Sequence, residues 1–153
     1  MKTLLAALLM ATAFGAEAAT PDPAVAKALD ALGYPYEVDE DGDYKMVFDV
    51  EEGRTQLVFV RSAVEDYGSH RIREVWSPGY NAPTAEFSAE VANRLLEDAQ
   101  NAKLGGWVKQ QKLAMFVVKI DADAAGPALA DAIEAATHTA DEMEQELTGQ
   151  DEY

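Results

Sequence analysis

YKMVFDVEEGRTQLVFV, residues 44–60, reads as two antiparallel strands and the turn between them. Tyr44, Met46, Phe48 and Val50 alternate with polar or smaller residues, the period-two pattern of a strand with one buried face. Glu51, Glu52 and Gly53 turn the chain. Leu57 and Phe59 then alternate with Val58 and Val60, so the second strand is apolar on both faces and belongs inside a sheet. Upstream, Tyr36, Glu37 and Val38 make a short strand, and Asp39-Glu40-Asp41-Gly42 has hairpin-turn chemistry. Three strands joined by two tight turns form an antiparallel meander.

Helices are expected on either side of it. Asp22-Pro23 supplies an N-cap and a first-turn proline, and Gly33 supplies a stop. Between them Val25, Ala28, Leu29 and Leu32 share one face. Ser88 caps a second helix with Val91, Ala92, Leu95, Leu96 and Ala99 as its apolar face, closed by Leu104-Gly105-Gly106. Trp107-Val108 and residues 114–120 (AMFVVKI) predict a second hairpin. A long last helix over residues 128–147 carries the stripe Leu129, Ile133, Ala136, Ala140, Met143 and Leu147. Gly149 ends it, and residues 150–153 read as a frayed end. Residues 61–86 fit two readings, a fourth strand over residues 72–76 or a mobile lid. Their flanks, Tyr67-Gly68-Ser69 and residues 77–81 (SPGYN), have turn chemistry. The predicted order is α-β-β-β-(β)-α-β-β-α in one α+β domain, an antiparallel β-sheet flanked by helices.

The first residues predict a destination. Met1-Lys2 is a small positive start, TLLAALLMATAF (residues 3–14) carries no charge, and Ala16-Glu17-Ala18 has the small-x-small cleavage pattern. The apolar run is too short to span a bilayer and no stop-transfer segment follows. A secretory signal peptide over residues 1–18 is therefore expected, with residues 19–153 as the mature single domain. There is no cysteine, hence neither disulfide staple nor lipid attachment site, and the expected location is periplasmic or secreted. With 28 Asp+Glu against 12 Lys+Arg, the formal charge of -16 disfavours nucleic acid and anionic membrane surfaces as partners.

Catalytic chemistry finds few candidates. Placing Glu37, Asp39 and Asp41 at positions 1, 3 and 5 of a calcium loop puts Gly42 correctly, but the bidentate acid position falls on Phe48 and the flanks are strands. The acidic stretch is thus a solvated turn. His70 and His138 are the two histidines, the first in a polar loop and the second off the apolar stripe of the last helix. No Gly-x-Ser-x-Gly elbow or phosphate-cradling glycine loop is present. The reading is non-enzymatic, with no cofactor and no metal. Trp76 and Tyr80, beside the polar connection, and Trp107, at a strand start, are the candidate partner-binding residues, because amphipathic aromatics are enriched at interfaces. Core packing is the competing reading for the two tryptophans.

A further pattern runs along the chain. Leu95-Leu96, then NAKLGGW (residues 101–107), the strand ending Val118-Lys119-Ile120-Asp121, ADEME (residues 140–144) and ELTG (residues 146–149) resemble the YbjN family of bacterial proteins. Leu32-Gly33-Tyr34 followed by a strand, an acidic turn and another strand fits the same layout. The resemblance covers residues 24–149. It implies the fold of type III secretion chaperones, which pair a sheet with helices, often dimerise and bind partner segments on apolar surfaces. It carries no catalytic residues. Those chaperones are cytoplasmic, whereas this chain begins with an export signal, so the resemblance keeps peptide binding and loses the secretion role. The expected function is a binding or chaperone-like module for a protein or peptide partner, with homodimer formation through a helix or sheet face. The alternative is a periplasmic sensor or regulator that binds a cation or small ligand.

Overall fold

The computed structural model describes residues 20–124 and 126–153. The expected signal peptide, residues 1–18, lies outside the described residues. Helix α1 (Pro23–Leu32) starts where Asp22 Oδ1 accepts the Ala24 N–H at 2.9 Å and stops at Gly33, whose φ of 73° only glycine adopts cheaply. Asp22 also binds Arg73 Nη2 at 2.5 Å. The Ala24 N–H, and after it the Arg73 guanidinium, hold the Asp22 carboxyl below its ordinary range against the opposing effect of burial.

The chain then builds six antiparallel strands: β1 (Glu37–Val38), β2 (Tyr44–Asp49), β3 (Thr55–Tyr67), β4 (His70–Asn81), β5 (Gly106–Gln110) and β6 (Leu113–Asp121). Their order across the sheet is β1-β2-β3-β4-β6-β5. Helix α2 (Ala89–Asn101) carries the chain from β4 over to β5, and α3 (Gly126–Thr148) closes the fold. The α+β architecture and the element order expected above are those observed. The acidic turn is built by Asp39, whose Oδ1 accepts the N–H groups of Asp41 and Asp43 at 3.0 and 2.9 Å. Asp43 is itself buried, accepting Ser62 N–H at 2.7 Å and pairing with Arg61.

One side of the sheet holds the core. Tyr44, Met46, Val58, Val60, Val75, Phe116 and Val118 meet Val25 and Leu29 of α1 and Leu129, Ala132, Ile133, Ala136 and Ala140 of α3. A second cluster joins Leu95 of α2 to Ala114 and Met143, with Tyr80, Phe87, Val91, Trp107 and Leu147 around it. All three helices thus lie on the same face. Among the described residues no helix is long and apolar enough to cross a membrane.

Four local expectations are corrected. Residues 77–81 are strand, not loop: β4 runs on through Ser77 and Pro78, paired with Phe116 and Met115 of β6. Proline is tolerated there because the paired β3–β4 ladder ends at Phe59 and Trp76, so no N–H is needed beyond it. Gln56 bridges the gap instead, donating from Nε2 to Ser77 Oγ at 2.9 Å and to the Pro78 carbonyl at 2.7 Å. His70 accordingly begins a strand. Leu96 is 67% exposed, because α2 meets the second cluster through Leu95. Residues 150–153 are not frayed. Arg54 Nη1 donates to Gln150 O at 2.6 Å, Thr55 N–H to Asp151 Oδ1 at 3.1 Å, and Glu152 N–H to Glu144 Oε1 at 2.7 Å.

Candidate functional site

Side chains alternate across a strand, so every residue buried beneath the helices has neighbours facing the other way. On β3 those are Leu57, Phe59 and Arg61; on β4, Trp76 and Pro78; on β6, Leu113 and Met115. Together with Gln110, Tyr153 and the acidic turn they line a groove of about 310 Å³ on the helix-free face of the sheet. Met115 and Val117 point away from the helices and yet are each only 4% exposed. That face is therefore a recessed apolar surface with polar margins.

Trp76 sits in it with both edge and face fixed. Its indole Nε1 donates to Glu74 Oε2 at 2.8 Å, and Glu74 pairs with Lys119 at 3.0 Å. The Arg61 guanidinium lies 4.7 Å from the centre of the Trp76 ring while paired to Asp43. Such a cation–π contact contributes about 0.5–1 kcal/mol at a partly exposed site. The wall of the groove is thus a preordered aromatic plane, which costs little rotamer entropy on binding.

Tyr153 joins Trp76 and Phe59 as the third aromatic of the groove. Its hydroxyl is buried and has no hydrogen-bond partner, and burial, with the Glu152 and Glu144 charges, pushes the phenol up to about 12. The backbone bonds that bring it there come from an ion-pair centre at the start of β3. Arg54 reaches Asp141 Oδ1 at 2.7 Å and Glu144 Oε2 at 2.9 Å, with all three side chains nearly buried. Burial raises Glu144 above its usual carboxylate range, opposed by the Glu152 N–H and the Arg54 charge. Burial works against the Arg54 charge too, but the Asp141 hydrogen bond and the two carboxylates outweigh it, so its guanidinium is held more firmly charged than usual.

The three aromatics singled out from sequence are not together. Trp76 faces the groove. Tyr80 and Trp107 face the helices, where Tyr80 meets Phe87 edge-on at 5.9 Å and Trp107 meets Phe116 edge-on at 5.3 Å. Trp107 Nε1 donates to Asp98 Oδ2 at 2.8 Å. A bulge between Pro78 and Tyr80 turns Tyr80 away from the Trp76 side, since Pro78 pairs with outward Met115 but Tyr80 with inward Ala114, and Trp107 on β5 pairs with inward Phe116. Sequence reasoning missed Arg61 and Tyr153. The signal for Arg61 was present, since it continues the Leu57, Phe59 alternation by one more step.

No histidine lines the groove, and the carboxylates of Asp39 and Asp43 are engaged in the turn and in the Arg61 pair. Among the described residues no group of three or more His, Cys, Asp and Glu is arranged to hold a metal ion. What the arrangement offers chemically is shape, apolar area and an aromatic plane. A scan against protein-family models finds no matching family, and a search of curated proteins finds no match either.

Proposed function

We propose that this protein is a non-enzymatic binding or chaperone-like module that takes an extended segment of a protein or peptide partner on the helix-free face of its sheet. The observation that carries this reading is the segregation of all three helices to one face, with a recessed apolar groove containing Trp76 on the other. A groove of about 310 Å³ lined by Leu57, Phe59, Pro78, Leu113 and Met115 gives an apolar side chain of a partner a place to enter. The resemblance to the YbjN family supports a segment-binding role, and Met1 to Ala18 support a periplasmic setting.

A random peptide display library panned on the purified protein tests the proposal. Binders rich in aromatic and aliphatic residues are expected. They should shift the Trp76 indole N–H resonance and lose binding in Phe59→Asp, with Leu96→Asp as the control on the helical face. Failure to enrich any peptide, or binding that Phe59→Asp leaves intact, would overturn it.

A further inference from the structure

We infer that the groove selects an aromatic side chain placed two positions after a carboxylate, and that residues 150–153 of the chain (QDEY) are a tethered occupant of that subsite, which a partner displaces. The inference rests on the binding reading above and names both the partner's chemistry and the control of access.

Three observations carry it. First, residues 150–153 run back along the start of β3 in a fixed register. Arg54 holds the Gln150 carbonyl, Thr55 N–H holds the Asp151 carboxylate, and Glu144 accepts the Glu152 N–H. Those contacts are the ones a bound peptide makes: one backbone carbonyl, one backbone N–H and one side-chain carboxylate. Second, the position two residues after Asp151 places an aromatic ring at the groove, beside about 310 Å³ of open space. The Arg54 charge attracts Asp151 as well as Asp141 and Glu144, against the like charge of Glu144, and the Thr55 N–H fixes where the Asp151 carboxylate sits. Third, the fit is imperfect. The Tyr153 hydroxyl is buried without a partner, so the ring is accepted and its oxygen is not. A phenylalanine in the same place would keep the apolar contact and lose the orphaned oxygen. The chain's own segment is therefore a weak occupant, held because it is tethered and at high effective concentration.

The test uses the full chain and its Asp151→Ala/Tyr153→Ala double variant, which gives up the Thr55 contact and the ring and so opens the carboxylate and aromatic positions to a peptide. End-capped peptides TGQDEF, TGQDEY and TGQDEA are titrated into each, following the two tryptophan indole N–H resonances. Expected is binding to the double variant in the order TGQDEF, TGQDEY, TGQDEA, with TGQDEF several-fold the tighter of the first two. The Trp76 signal should move while the Trp107 signal stays. The unsubstituted chain should bind TGQDEF at least tenfold more weakly, since its subsite is filled. Equal affinity for both proteins would overturn the tethered-occupant inference. So would equal affinity for TGQDEF and TGQDEA. If library-selected peptides bind the groove in a Phe59-dependent way while none of the three capped peptides binds, the inference fails and the binding reading stands. If neither set binds either protein, both fail.

Discussion

Gly79 lies directly beneath the Trp107 indole: a Cβ at position 79 would stand 2.5 Å from Trp107 Cη2 and 3.1 Å from the Ala140 carbonyl oxygen. The glycine has an ordinary φ, so space and not backbone conformation selects it. Trp107 cannot retreat easily. Asp98 holds its nitrogen and Phe116 meets it edge-on, so strand β5, strand β4 and helix α3 meet at one contact.

Gly79→Ala is therefore expected to destabilise the fold by about 1–3 kcal/mol, the usual cost of forcing extra volume into a packed interior. Urea unfolding gives the stability, and the near-UV signal of Trp107 should change with it. The groove lies on the opposite face, so peptide binding by the folded fraction should persist. An unchanged midpoint would show that the indole moves at little cost.

Gln56 is fully buried in the middle of an apolar face and makes its bonds where the β3–β4 ladder stops. Gln56→Met keeps the length and removes the donor. The Pro78 carbonyl and Ser77 hydroxyl then lose a partner, at an expected cost of about 1–3 kcal/mol. Hydrogen exchange should speed up along residues 77–81 more than along β2. Uniform exchange across the sheet would mean that the ladder to β6 alone keeps β4 extended.

The same stretch explains what could be read from sequence. The ends of α1 were legible because Asp22, Pro23 and Gly33 act within one turn, and the hairpin of residues 44–60 because alternation is local. Ser77-Pro78-Gly79 is turn chemistry by any local rule. It becomes strand because β6 pairs with it and a side chain from β3 completes it, partners roughly twenty to forty residues away in sequence. The site suffered from the same limit. Trp76 and Tyr80 stand four apart, which on a regular strand is one face, and a single bulged residue puts them on opposite faces. Residues 150–153 are polar and follow a helix-stopping glycine. Contacts with Arg54 and Thr55, at a separation of 96 residues, and with Glu144 hold them down.

Arg54 is the cation between Asp141 and Glu144, and the side chains of the three are 11%, 11% and 0% exposed. Arg54→Met leaves buried carboxylates without their partner, which typically costs about 3–5 kcal/mol. The loss should depend on pH in a definite direction. Glu144 is raised by burial even with Arg54 present, so folding shifts it toward the protonated acid relative to the unfolded chain. A raised group contributes stability below its unfolded pKa and loses it as pH rises through the folded value. The deficit of Arg54→Met should accordingly be largest near neutrality and shrink as the pH falls toward the carboxylate range. Urea midpoints of both proteins across that interval decide it, and a deficit that grows on acidification would contradict the assignment.

Tyr153 gives the complementary test at the alkaline end. Its phenol is pushed from the ordinary value of 10 up to about 12, chiefly because burial disfavours the phenolate. The sign follows from linkage: the stability that goes with the neutral phenol is complete below pH 10 and is lost as pH rises through about 12. Tyr153→Phe removes both the titration and the orphaned oxygen. It should be more stable than the parent at neutral pH by an amount on the order of 1 kcal/mol, and the advantage should widen above pH 10. Phenolate absorbance should show one late-titrating tyrosine missing from the variant. If the two proteins lose stability in parallel up to pH 12, the Tyr153 hydroxyl is in contact with water, and residues 150–153 do not seal the end of the groove.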